Sequence, residues 1–241
     1  MNPDVSVIIP VYEADPAWLR AAVKSALFQE DVVSEVIVCD DGSAALVDLL
    51  LADLPVSVIR QCRQGPASAR NCAAREARAP WLAFLDADDL WDPGKLTIEL
   101  AAADSAQVDV VYSNGRVIDG AGQVILERQD WVGPVDSLLD LVPGNRVPLS
   151  SAIVRRQVFE AVGGFDAENR FGAEDYGFWL AVAAAGWGFK CLPEVLFSYR
   201  KHPGQISADP ERMRLGQVHA LTRTLLRLRP DHPRPLPSST A

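Results

Sequence analysis

Asp86-Ala87-Asp88-Asp89 sets three carboxylates within four residues. Such groups repel one another unless something positive sits among them. Mg²⁺ and Mn²⁺ take oxygen ligands and are commonly held by one or two carboxylates plus substrate phosphates. A D-x-D-D run with no second full ligand set therefore suits a metal completed by a diphosphate. The plainer alternative is an acidic turn before the helix that Asp92-Pro93 announces. Glu174-Asp175 opens another helix, where the dipole stabilises a carboxylate. Alternatively, one of this pair faces a substrate hydroxyl and removes its proton. His202 follows Ser198-Tyr199-Arg200-Lys201 and reads as an exposed loop histidine, a further metal ligand or a phosphate contact. His219 and His232 suggest no role.

Other chemistries lack their signatures. Asp40-Asp41-Gly42-Ser43 resembles the ribose-binding acid of a dinucleotide fold. That role needs a G-x-G-x-x-G turn after the first strand, and Pro10-Val11-Tyr12-Glu13-Ala14-Asp15 contains no glycine. Nicotinamide or flavin chemistry is disfavoured, and so is P-loop phosphotransfer, because no G-x-x-x-x-G-K-[ST] occurs. No G-x-S-x-G elbow or Ser-His-Asp spacing supports acyl transfer.

Short apolar runs alternate with amphipathic segments through residues 1–113. Val5 to Val11, Glu35 to Cys39, Val56 to Ile59, Trp81 to Leu85 and Val108 to Tyr112 read as strands, the first covered on both faces. Asp15-Pro16 caps a helix whose stripe is Leu19, Ala22, Val23, Ala26 and Leu27. Further helices are predicted from Ala67 to Ala77 and from Asp92 to about Ala103. This β-α-β-α order implies parallel strands with helices on both faces, and ligands bind at the carboxyl ends of such strands. Both Asp40/Asp41 and Asp86/Asp88/Asp89 fall at strand ends. Residues 114–208 are more irregular. A hairpin is predicted around Asp119-Gly120-Ala121-Gly122 and a short helix over Val135 to Val142. A strand from Ser150 to Arg155 leads to a helix ending near Ala161, then the turn Gly163-Gly164-Phe165-Asp166. A helix from Glu174 to Ala185 and a strand from Val195 to Tyr199 complete this part. The spacing predicts a final helix over 209–228, with Val218, Leu221, Leu225 and Leu228 packed on the parent domain. The Pro-rich segment 229–241 is expected to be disordered. The whole of 1–228 reads as one domain.

Composition narrows the partners. The chain has 241 residues, 49% apolar and 23% charged, ordinary for a globular protein. Its net charge of −9 is uneven: residues 200–241 hold 8 basic and 3 acidic side chains, leaving 15 basic and 29 acidic before them. An acidic body disfavours nucleic acid. The basic end suits an ordinary solvated helix, an oligomer contact such as a homodimer, or a dock for anionic lipid or a lipid-linked substrate. No long apolar run predicts a transmembrane span, and Met1 to Val5 lacks a basic n-region. Cys39, Cys62, Cys72 and Cys191 form no C-x-x-C and read as reduced, mostly buried thiols. The expected location is cytoplasmic, extending to the inner membrane surface.

In combination, these segments resemble the family 2 glycosyltransferases with the GT-A fold. The carriers are Val5 to Tyr12, Glu35 to Ser43, Gly65-Pro66-Ala67-Ser68-Ala69-Arg70-Asn71, Phe84 to Asp89, Gly163 to Asp166, Glu174-Asp175 and Tyr199 to Gly204. The resemblance implies a Rossmann-like, mostly parallel sheet with a smaller α+β acceptor-side half. It also implies inverting transfer of a sugar from a nucleotide-diphosphate donor, a UDP-sugar by preference, to a carbohydrate or lipid-linked acceptor. Pro10, Val11, Tyr12, Asp41, Arg70, Asp86, Ala87 and Asp88 would then contact the nucleotide. Asp88, Asp89 and His202 would hold Mn²⁺ or Mg²⁺. Asp175 would be the base beside Glu174, with Gly163, Gly164, Phe165 and Trp179 on the acceptor side. The Q-x-x-R-W motif of processive synthases is absent, and so is the arginine that follows the E-D pair in many relatives. Single-sugar transfer is expected. A sugar-nucleotide nucleotidyltransferase and a non-catalytic binding subunit are the rival readings. The first lacks its basic glycine-rich opening loop.

Overall fold

Alternation along the first strand, β1 (Val5–Val11), sets the plan. Val7 and Ile9 enter one apolar cluster, Ile8 enters another, and all three are buried. Such a strand needs helices on both faces. The computed structural model describes residues 4–29, 32–127 and 132–228. Against the Val7/Ile9 face pack α1 (Pro16–Leu27), through Leu19, Ala22, Val23 and Ala26, and α4 (Lys95–Ala106), through Leu96 and Ala103. Against the Ile8 face pack α3 (Pro66–Glu76), α5 (Arg156–Val162) and α6 (Glu174–Ala184), bringing Ala69, Ala73, Phe159 and Tyr176. Asp15 caps α1 as expected, accepting from the N–H groups of Ala17 and Trp18.

The other strands are β2 (Val33–Asp40), β3 (Ser57–Arg60), β4 (Trp81–Phe84), β5 (Leu90–Trp91), β6 (Val110–Ile118), β7 (Val124–Leu126), β8 (Ala152–Arg155) and β9 (Phe189–Arg200). One sheet runs through both halves in the order β3-β2-β1-β4-β8-β6-β9-β5, with β7 paired to β6. By their pairings β3, β2, β1, β4, β6 and β9 run one way, and β8, β5 and β7 the other. The mostly parallel α/β class holds.

Several expectations change. The predicted fifth strand does not sit beside β4, because β8 inserts antiparallel between β4 and β6. Over 135–142 only a 3₁₀ turn forms, Leu138–Asp140, where Asp140 accepts from Ser137. Pro143-Gly144 stops the segment before an α-helix can nucleate. A short α2 (Val47–Leu50) had no sequence signal, and α4 starts only after Gly94, whose φ is +77°. The last helix, α7 (Pro210–Arg227), buries Gly216, Ala220 and Thr224; of the predicted stripe Leu221 packs against the core, while Val218 and Leu225 are exposed. Of the four thiols only Cys39 is buried. The predicted tail at 229–241 lies outside the described residues.

Candidate active site

At the carboxyl edge of the sheet, the N–H of Asp41 donates to the Val11 carbonyl (2.8 Å), which keeps β1 and β2 level. Asp41 is buried. Its Oδ1 accepts from Gln61 Nε2 (2.7 Å) and the Gln64 N–H (2.8 Å), and its Oδ2 from the Gly65 N–H (2.7 Å). These charge-assisted bonds make Asp41 the organiser of the Gln61–Gly65 loop. From that loop the Arg63 guanidinium lies 3.9 Å over the ring of exposed Tyr12, a cation–π contact that joins the loop to the end of β1. Pro10 is half-buried at the strand end. The expectation for Val11 needs correcting: its side chain is buried and its carbonyl is taken by Asp41, so it contributes only to the floor.

Beyond β4 the Asp89 N–H donates to the Asp86 carbonyl (3.1 Å) and closes a turn through half-buried Ala87. Asp86 accepts from Arg70 Nη2 at 2.5 Å. Asp88 Oδ2 lies 2.9 Å from His202 Nε2. Burial, and then Asp86, push the Asp88 carboxyl above the ordinary range, against the pull of His202. The His202 ring is held on its other side by Trp18 of α1, with centroids 4.8 Å apart. Trp18 in turn donates from Nε1 to the Gly120 carbonyl (3.1 Å), and Arg200 lies 5.1 Å from its ring. Arg200 Nε also donates to the Asp88 carbonyl (2.8 Å).

Asp88 and His202 bring a carboxylate oxygen and an imidazole nitrogen within 2.9 Å of each other, a donor pair whose chemistry fits a divalent ion with an oxygen-rich outer shell. Asp89 does not join them. It is buried, and its Oδ1 accepts from the Arg200 N–H at 2.9 Å, so it ties β9 to the turn. Burial, followed by Asp88 and Asp86, holds its carboxyl well above the usual range. Among the described residues no three His, Cys, Asp or Glu side chains converge on one point. Of the trio expected from sequence, Asp88 and His202 are in direct contact and Asp89 is paired with the Arg200 backbone.

The second acidic station begins at a strained corner. Gly172 and Ala173 both have positive φ, +108° and +57°, and α6 starts at the next residue. Buried Glu174 accepts from Arg70 Nη1 at 2.5 Å. Asp175 Oδ2 accepts from Asn145 Nδ2 at 2.7 Å. Burial, reinforced by the charge of Glu174, raises Asp175 to about 7. The buried Arg70 guanidinium therefore bridges Asp86 and Glu174 and ties the two stations together. Burial works against its charge, but the two carboxylates outweigh burial and hold its pKa above the ordinary value. The corner itself rests on α7. A Cβ at Gly216 would fall 2.0 Å from the Gly172 carbonyl oxygen, so only glycine permits this approach.

The acceptor-side expectations fare less well. Trp179 is fully buried against Phe178 and Phe189, and no acceptor reaches it. Phe165 is also in the core. Its N–H donates to Asn71 Oδ1 (2.9 Å), and Asn71 Nδ2 donates to its carbonyl (2.8 Å). Gly164 makes room for that clasp, since a Cβ there would meet Asn71 at 2.6 Å. Gly163, exposed with φ +85°, ends α5. The whole turn fastens α3 to the second half. Asn145, Trp18, Arg63 and Gly216 were missed. Asn145 lies in an aperiodic Pro-Gly-Asn stretch, and Trp18 looks like any residue of an amphipathic helix.

The model of the family described as Glycosyl transferase family 2 matches residues 6–162. The chain is 35% identical over 234 residues to the succinoglycan biosynthesis protein ExoO of Rhizobium meliloti, covering 91% of this chain and 66% of that one. It is 26% identical over 224 residues to the UDP-Glc:alpha-D-GlcNAc-diphosphoundecaprenol beta-1,3-glucosyltransferase WfaP of Escherichia coli, covering 90% and 85%. Among solved structures, S. aureus TarS 1-349 in complex with UDP-GlcNAc superposes with a TM-score of 0.70 at 22% identity, over 93% of this chain and 72% of that one. That likeness shows the fold.

Proposed function

Since the chain belongs to glycosyl transferase family 2, we propose that it moves one sugar from a UDP-sugar to an acceptor hydroxyl, inverting the anomeric carbon. The observation that supports this reading is the Arg70 bridge, which joins the Asp86–Asp88 turn to the Glu174–Asp175 helix start. The UDP-GlcNAc held by TarS and the UDP-Glc in the name of WfaP support the donor class.

Tyr12 and Arg63 offer a stacking face for the base, beside the loop that Asp41 holds. Asp88 and His202 would hold Mn²⁺ or Mg²⁺, which offsets the negative charge gained by the departing diphosphate. Arg70 holds the Asp86 and Glu174 carboxylates in place. Asp175 takes the proton of the acceptor hydroxyl as its oxygen bonds to the anomeric carbon. The bond from that carbon to the diphosphate oxygen breaks, and UDP leaves on the opposite side of the ring. A carboxyl titrating near 7 is suited to this, because it accepts a proton more readily than an ordinary aspartate yet is ionised in part at neutral pH.

Calorimetry with UDP, GDP and TDP, with and without Mn²⁺, tests the donor site. UDP should bind, at least about tenfold more tightly with the metal. Failure of every nucleotide diphosphate to bind would sink the proposal at its first step.

A further inference from the structure

Helix α7 carries apolar residues on two opposite faces. One face, Gly216, Ala220 and Thr224, is buried against the rest of the protein. At about 100° per residue, Leu215, Val218, Leu225 and Leu226 fall together in the opposite sector. They are 48%, 56%, 68% and 44% exposed. The packing centres on small residues flanked by Met213 and Leu221, because only glycine at position 216 allows the close approach at Gly172. Arginines border the exposed stripe. Arg214 lies on one side, with Arg212 and Arg223 on the other, all exposed. Arg212 is oriented by the Phe171 carbonyl (2.9 Å), and Arg223 by Asp166 (3.2 Å).

Charge decides what covers the stripe. Residues 200–241 hold 8 basic and 3 acidic side chains, while the remainder holds 15 and 29. Two α7 helices pairing about a twofold axis would bring these arginine borders together. An anionic lipid surface instead attracts the borders, accepts the leucine and valine side chains, and repels the acidic remainder. Only one orientation satisfies all three conditions. We propose that α7 lies on an anionic lipid surface, its Leu215–Val218–Leu225–Leu226 face in the headgroup–acyl boundary and its arginines among the headgroups. No helix among the described residues is long and apolar enough to cross a membrane, so this contact is peripheral. It sets the corner that carries Asp175 one helix away from the lipid.

Vesicle sedimentation of the full chain tests this without donor or turnover, so its outcome is separate from the transfer chemistry. The protein should sediment with phosphatidylcholine vesicles containing phosphatidylglycerol, far less with phosphatidylcholine alone, and less as salt rises. Val218→Ser with Leu225→Ser should weaken partitioning at least about tenfold, and Arg214→Glu several-fold. Both changes are on exposed positions, and unchanged thermal melts would show that the fold is intact. Wild-type protein that ignores anionic vesicles, or a double variant that binds them equally well, overturns the proposal. So does a dimer by light scattering that the double variant abolishes, since a second copy would then own the face.

Discussion

The turn after β4 and the start of α6 are built alike and behave differently. Each carries one carboxylate on the buried Arg70, Asp86 in the first and Glu174 in the second. Each leaves its other acid, Asp88 or Asp175, with a raised proton affinity, caused first by burial and then by the acid tied to Arg70. The difference lies in the remaining partner. Asp88 faces His202, a nitrogen that binds either a proton or a metal. Asp175 faces Asn145, an amide that donates a hydrogen bond and never titrates. Under the proposed function, the same electrostatic plan would serve a cation where the neighbour is an imidazole and accept a proton where it is an amide.

If Arg70 is the common element, Arg70→Met should damage both stations together. It leaves buried Glu174 and half-buried Asp86 without their cation, and urea melts should show a loss of about 3–5 kcal/mol. Damage to one station alone would break the parallel. Gly216→Ala should separate them, because the added methyl strikes the Gly172 carbonyl and shifts only the α6 corner. Stability should fall by about 1–3 kcal/mol, and turnover should fall with it, while UDP affinity by calorimetry stays put.

The acid limb of turnover should sit near pH 7, because Asp175 binds its proton below that point and is then useless as a base. Glu174→Gln removes the neighbouring like charge and should move that limb down by about one pH unit. A limb that does not move would assign it to another group. The raised value also bears on folding: Asp175 favours the native state most below about pH 4, and that contribution is lost as pH rises toward 7. The smallest effect belongs to the first station. Trp18→Leu removes the ring that steadies His202, and Mn²⁺ titrations followed by electron paramagnetic resonance should show affinity several-fold weaker, ~1 kcal/mol. The acid limb should not change.

The nucleotide half was legible because its signals are local. Val5 to Val11 holds five β-branched residues in seven, and the acids fall where such strands must end. The second half depends on contacts between distant segments. Periodicity identifies Ala152–Arg155 as a strand but says nothing of its insertion between β4 and β6. The resemblance implies an acceptor-side place for Trp179. One helical turn is about 5.4 Å, enough to carry that residue from the cleft into the core. In α7 the predicted stripe holds only at Leu221, because the packing there is centred on the backbone approach at Gly216. Asp89 was grouped with Asp88 by adjacency, although neighbouring residues of a turn point in different directions.

The division of labour between Asp88 and Asp175 is tested most directly by measuring UDP-sugar affinity and turnover in Asp88→Asn and Asp175→Asn side by side. Asp175→Asn should bind the donor with Mn²⁺ as the unaltered protein does, while kcat falls by about 10²–10⁴. Asp88→Asn should lose the Mn²⁺-dependent part of donor affinity. Turnover that persists in Asp175→Asn, or donor affinity that collapses in it, would contradict the account.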